Sequence, residues 1–144
     1  MIEQLAIFSE NKPGRLERIT EALAEAGVNI RAMHVASLGD MGVVKIVADR
    51  PEEAYQALSG HGTVRKLPAA AVRVPDRPGA LHDVTAALSR AGVNIENASG
   101  FPARGGEAVL ILEVVDVPAA EQILRQAGFD VLEAGEFSQV VGGT

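Results

Sequence analysis

The chain repeats itself. Lys12-Pro13-Gly14-Arg15-Leu16 recurs as Arg77-Pro78-Gly79-Ala80-Leu81, and Ala26-Gly27-Val28-Asn29-Ile30 recurs as Ala91-Gly92-Val93-Asn94-Ile95, both at an offset of 65 residues. From Pro13 to Ile30, 11 of 18 positions are identical to their counterparts without a gap. Self-similarity on this scale means that one structural unit is built twice. The offset persists where Val44-Lys45-Ile46 meets Val109-Leu110-Ile111, and slips near Pro51 and Pro118. Residues 1–67 are therefore expected to form one unit and residues 68–144 the other, the latter ending in a short tail after Phe137.

Each unit reads β-α-β-β-α-β. Gln4 to Ser9 has strand composition. Pro13 and Pro78 are expected at a first helical position, which tolerates the missing N–H. Leu16, Ile19, Leu23 and Ala26 follow at helical spacing, as do Leu81, Val84, Leu88 and Ala91, giving each helix an apolar face. Gly27 and Gly92 stand where a left-handed terminator belongs. Val28 onward opens a second strand, and Gly39-Asp40 or Gly105-Gly106 supplies a hairpin. Val43 to Ala48 and Ala108 to Val115 read as third strands. Pro51 and Pro118 begin second helices, and Val64 to Leu67 and Phe129 to Glu133 read as last strands. The fold class is α+β: two ferredoxin-like βαββαβ repeats with antiparallel sheets. Ala108 to Val115 is apolar on both faces apart from Glu113, so a partner copy or the sister repeat is expected to cover the side away from the helices, and a homodimer follows.

Composition narrows the function. A net charge of −6 with 3% aromatic residues offers neither the basic stripe nor the stacking rings of a nucleic-acid binder. No apolar run has the roughly 20 residues of a membrane span, and Met1 to Glu10 does not read as a secretory signal. The absence of cysteine fits a cytoplasmic protein and leaves no thiolate nucleophile. His34, His61 and His82 form no metal-ligand spacing, no phosphate or dinucleotide glycine motif is present, and no cofactor or metal is expected.

The segment joining first strand to first helix is the candidate site: Glu10-Asn11-Lys12-Pro13-Gly14 and Pro75-Asp76-Arg77-Pro78-Gly79. Amides at a helix N-terminus attract carboxylates. Gly14 and Gly79 permit close approach to the backbone, and Asn11 adds a donor and an acceptor. Alternatively Asn11 and Asp76 only cap their helices. Asn29 and Asn94 carry the same ambiguity, between satisfying a turn and reaching a ligand.

These residues resemble a known family. Asn11-Lys12-Pro13-Gly14, then Ala26-Gly27-Val28-Asn29-Ile30, then Met41-Gly42-Val43-Val44 are similar to an ACT domain, as in the regulatory domain of phosphoglycerate dehydrogenase and the acetolactate synthase regulatory subunit. The resemblance implies a non-catalytic regulatory protein whose ligand is a free amino acid, with or without a metabolic enzyme as partner. It implies ligand contacts, across a domain interface, from Asn11 and Asn29 and their counterparts Asp76 and Asn94. The expected site comprises Asn11, Lys12, Pro13, Gly14, Asn29 and Ile30, and Asp76, Arg77, Pro78, Gly79, Asn94 and Ile95. Two departures stand out: Ser9 and Val74 replace a histidine of some members, and Asp76 replaces the asparagine. The alternative is an acylphosphatase-like enzyme of the same fold, for which Arg15 or Arg77 would supply the loop arginine, or a regulatory subunit whose true partner is an enzyme.

Overall fold

The computed structural model describes residues 1–141. In chain order they form β1 (Ile2–Glu10), α1 (Arg15–Glu25), β2 (Ile30–Leu38), β3 (Met41–Ala48), α2 (Pro51–Leu58), β4 (Thr63–Pro75), α3 (Ala80–Arg90), β5 (Asn97–Pro102), β6 (Glu107–Glu113), α4 (Val117–Gln126), β7 (Asp130–Leu132) and α5 (Ala134–Val141). Two compact units result. One is Glu3–Leu67; the other begins at Pro68 and also includes Met1–Ile2.

In the first unit the strands run β2-β3-β1-β4, with β3 antiparallel to both neighbours. In the second they run β5-β6-β4-β7, antiparallel throughout. Both are the ferredoxin-like arrangement expected of the repeats. Strand residues two apart share a face, so Leu5 and Ile7 of β1 join Val44 and Ile46 of β3 against Ile19 and Leu23 of α1 and Ala54 and Leu58 of α2. The second core repeats the scheme with Val72, Val74, Leu110 and Leu112 against Val84, Leu88, Ala120 and Leu124.

Two expectations need correction. The last strand of the first repeat and the first strand of the second are one strand, β4, thirteen residues long and running through Pro68. Proline lacks a donor but its fixed φ suits extended backbone. The helix faces are also shorter than the periodicity suggests: Leu16 and Leu81 remain 38% and 52% exposed on the first turns of α1 and α3.

The end of the second repeat and the start of the stretch read as a tail together form helix α5, whose Phe137 is wholly buried. Phe137 meets Phe101 of β5 edge-on, with ring centroids 6.3 Å apart at 86°. Phe101 pairs in register with Val109, so the two share the sheet face opposite the helices, together with Ile111. Val109 and Ile111 are 0% and 3% exposed. Phe137 thus covers Phe101 on this face, and Val109 and Ile111 are already buried in the single chain, so the doubly apolar strand does not call for a second copy as its cover. Residues 142–144 of the expected tail lie outside the described residues. In the same unit the Met1 ammonium lies 2.7 Å from the buried Glu121 carboxylate and 2.8 Å from Glu133. Burial alone would lower its pKa, but hydrogen bonds and charge from the two carboxylates prevail and hold it above the ordinary 8.0.

Removing the Phe137 ring should leave a cavity against Phe101 and lower stability by about 3–5 kcal/mol. Chemical denaturation of Phe137→Ala checks this; an unchanged midpoint would mean that α5 does not close the sheet face.

Candidate functional site

The two strand-to-helix loops have one geometry. The Asn11 amide donates to Asp40 O at 2.7 Å, and the Asp76 amide donates to Gly106 O at 2.8 Å, so each loop is laid against the hairpin of its own repeat. Lys12 N–H then bonds Glu10 O and Arg77 N–H bonds Pro75 O, while Arg15 N–H bonds Lys12 O and Ala80 N–H bonds Arg77 O. The chain reaches the helix through a glycine in the left-handed region, Gly14 at φ 89° and Gly79 at φ 87°. Nothing lies within 4 Å of where a Gly14 side chain would begin, so its glycine is there for the dihedral and not for space.

This geometry revises the sequence reading at two points. Pro13 and Pro78 stand before the N-cap, not at the first helical position. Asn11 and Asp76 do not cap the helices, because the caps are Gly14 and Gly79 and neither helix has a side-chain cap bond. The first bond that closes α1 runs from Arg18 N–H to Gly14 O, and its equivalent in α3 from Asp83 N–H to Gly79 O. The amides of Leu16 and Glu17, and of Leu81 and His82, therefore find no acceptor among the described residues. By contrast α4 is capped by Asp116, whose Oδ1 accepts from Ala119 N–H at 3.1 Å.

Charge distinguishes the two loops. Lys12 Nζ lies 2.6 Å from Glu10, whose carboxyl is held below its ordinary value by that hydrogen bond and then by the lysine's charge. Asn11 is exposed and its Nδ2 makes only a long 3.5 Å contact to Gly39 O. Asp76 is an exposed carboxylate. Arg77 turns onto its own helix, donating to Pro78 O and to Asp83, each at 3.1 Å. That engagement also weakens the case for Arg77 as a free phosphate-gripping arginine.

The far end of each first helix carries the other asparagine. Gly27 (φ 68°) and Gly92 (φ 76°) are the left-handed terminators that the sequence suggests. Gly27 N–H and Val28 N–H close back on Ala24 O and Leu23 O, and Gly92 N–H and Val93 N–H on Ser89 O and Leu88 O. Asn29 and Asn94 follow, both exposed. Ile30 and Ile95 pack against the hydrophobic cores instead of facing outward.

Asn11 and Asn29 are not brought together within a repeat. Leu38 of β2 and Glu10 of β1 both pair with Met41, whereas Ile30 pairs with Ala48 at the opposite end of the sheet. Eight strand residues at about 3.3 Å each separate the ends by roughly 25 Å. One small ligand cannot touch both; Asp76 and Asn94 are divided in the same way by α3. Sequence reasoning also missed Asp49 and Arg50, which bond the Asn29 turn. The only signal for them was their place before Pro51, where the repeat offset slips. Among the described residues no three His, Cys, Asp or Glu side chains gather into a metal site, and no helix is long and apolar enough to cross a membrane.

A family model described as an ACT domain pair matches residues 1–141. A crystal structure of a protein from Bacteroides thetaiotaomicron is 31% identical, with 96% of each chain covered and a TM-score of 0.89. The regulatory subunit of aspartate kinase from Thermus thermophilus, in a ligand-free form, is 18% identical over 88% of this chain and 92% of that one, with a TM-score of 0.65. Its counterpart from Thermus flavus is 20% identical over 88% and 92%, with a TM-score of 0.60. No curated protein matches the chain.

Because the space beside Gly14 is empty, Gly14→Ala should cost only the dihedral strain of a left-handed alanine, about 1–2 kcal/mol. Thermal unfolding of the variant tests this; a stabilised variant would show that the helix start relaxes out of the left-handed region.

Proposed function

The chain belongs to the ACT domain pair family, and on that premise we propose that it is a non-catalytic cytoplasmic regulatory protein that binds a free amino acid at the strand-to-helix loop of its first repeat. The observation that carries the reading is the uncapped start of α1: two free amides, a backbone bared by Gly14, and Asn11 beside them. A ligand carboxylate meets the Leu16 and Glu17 amides and the positive end of the helix dipole. The Asn11 carboxamide adds a donor to the carboxylate or an acceptor for the ammonium. Exposed Leu16 stands on the same first turn and offers apolar surface to the ligand's side chain.

Asn29 joins such a site only from a second copy of the chain. Strand β2 suits that role: it is nine residues long, contains no proline, and pairs along one edge with β3. An unprotected edge of this length is a template for another strand. Antiparallel pairing of two β2 strands sets the Asn29 end of one copy beside the Asn11 end of the other. Met33 and Val35, exposed on the helix side of β2, would then be covered. Strand β5 is poorly suited, being six residues long and containing Gly100 and Pro102.

The first repeat is assigned as the principal site. Residues 1–67 carry 8 basic and 9 acidic side chains, a net of 8 − 9 = −1, whereas residues 68–144 carry 5 and 10, a net of 5 − 10 = −5. More locally, ionised Asp76 only accepts hydrogen bonds and repels a carboxylate, and Arg77 is occupied by Asp83.

A thermal-shift screen of the twenty amino acids, followed by titration calorimetry, tests the proposal. At least one amino acid should raise the melting temperature, with about 2.7 kcal/mol of stabilisation at 100 times its dissociation constant. Asn11→Asp should weaken that binding by about 1.5–3 kcal/mol, while Asp76→Asn leaves it unchanged or stronger. If no amino acid shifts the protein, the reading fails. A larger loss from Asp76→Asn than from Asn11→Asp would make the second repeat the principal site.

A further inference from the structure

Both repeats carry an aspartate two residues before the proline that opens the second helix, Asp49-Arg50-Pro51 and Asp116-Val117-Pro118. The two motifs are used differently. In the second repeat Asp116 is the N-cap of α4, accepting from Ala119 N–H, and Val117 is a buried member of the core. In the first repeat the N-cap of α2 is Arg50, which makes no side-chain cap bond. Asp49 is thereby released, and its Oδ1 accepts from the Asn29 amide at 2.9 Å while its own amide donates to Asn29 O at 3.0 Å. The Arg50 guanidinium crosses to the same turn. Its Nη2 donates to Ala26 O at 3.1 Å and to Gly27 O, and its Nε faces Glu53 at 3.4 Å.

We infer that Asp49 and Arg50 are positioning residues, a two-residue latch that fixes the turn presenting the Asn29 side chain to ligand in the first repeat, and that the second repeat has no such latch. The inference rests on the ligand role proposed above for Asn29. Four backbone groups of Ala26–Asn29 are tied by the pair: the carbonyls of Ala26 and Gly27 by Arg50, and both the amide and the carbonyl of Asn29 by Asp49. In the Ala91–Asn94 turn no side chain bonds the backbone among the described residues; its support is the pair of glycine-terminator bonds. A cation over the last carbonyls of α1 also complements the negative end of the helix. Substituting valine for the arginine turns an electrostatic tie into core packing, which explains why Asn94 stands on a less restrained turn although the surrounding sequence is identical.

The test has two arms on the full chain. In the unliganded protein, amide hydrogen exchange at Asn29 should be about tenfold slower than at Asn94, the scale of one hydrogen bond to a charged group. The difference should vanish in Asp49→Ala and survive in Asp49→Asn, whose carboxamide oxygen still accepts. Equal exchange at Asn29 and Asn94 in the wild type overturns the latch. The second arm titrates each of the twenty amino acids into the wild type, Asp49→Ala, Arg50→Met, Asn29→Ala and Asp49→Ala/Asn29→Ala. Asp49→Ala and Arg50→Met should each weaken binding about three- to tenfold, and Asp49→Ala should add nothing once Asn29 is already alanine. A full additional loss in the double variant means that Asp49 acts on general stability and refutes the positioning role. Should Arg50→Met fail to fold, the Asp49 series alone decides the matter. A wild type that no amino acid stabilises sinks the ligand reading and the role given to Asn29, while the exchange comparison still decides whether the latch exists.

Discussion

Everything about the candidate site follows from a helix of fixed length held between two left-handed glycines. In α1 the glycines are Gly14 and Gly27, in α3 Gly79 and Gly92. The first leaves the helix start without a side chain to cap it, so the amides stay open. The second turns the chain back toward the sheet within two residues. The eleven helical residues of each, Arg15–Glu25 and Ala80–Arg90, span about 16 Å, and that length assigns the first-loop residue and the second asparagine to opposite ends of the unit. One small ligand therefore cannot touch both within a single repeat.

Much of this was legible in the sequence because it is local. Gly27 and Gly92 are recognised as terminators from the residues around them, and the bonds to Leu23 O and Leu88 O bear this out. The spacing of Ile19 and Leu23, or of Val84 and Leu88, identifies the buried face without knowledge of the partner. What was not legible depends on distant segments. Periodicity places Leu16 and Leu81 in line with those buried residues but cannot show that both stay exposed on the first turns. The cap alternative for Asn11 falls because the N-cap is Gly14 and the Asn11 amide is bonded to Asp40 O, almost thirty residues later. The division at residue 67 does not show that one strand continues across it, through Pro68. The eight residues of α5 carry a weak helical pattern, and only the apolar face around Phe101 gives them something to bury against.

Duplication preserved the backbone far better than the polar chemistry. The loop bonds to Asp40 O and Gly106 O, the glycine dihedrals and the terminators are repeated within a few tenths of an ångström and a few degrees. The side chains that differ lie on that common frame: Asn11 against Asp76, Lys12 paired to Glu10 against Arg77 tied to Asp83, Arg50 against Val117. The first of these differences puts a carboxylate where the first repeat has a neutral carboxamide; in the second, the cation is paired to an acid in both repeats. The cores face no such divergence, since hydrophobic packing tolerates substitution when volume and pattern are kept. Two copies of one scaffold can thus share a core while their exposed polar groups diverge.

The position of α5 matters for the order in which the molecule can be finished. The first unit has its last strand residue at Leu67, so it can close soon after half of the chain has been synthesised. The second has all of its strands by Leu132. One face of its sheet, with Val109 and Ile111, still lacks the helix that brings Phe137 onto Phe101. A nascent chain paused between those points, or a mature one clipped there, would hold a nearly complete sheet with an apolar face open to the solvent. Such a surface is where aggregation begins, and seating Phe137 on Phe101 narrows it.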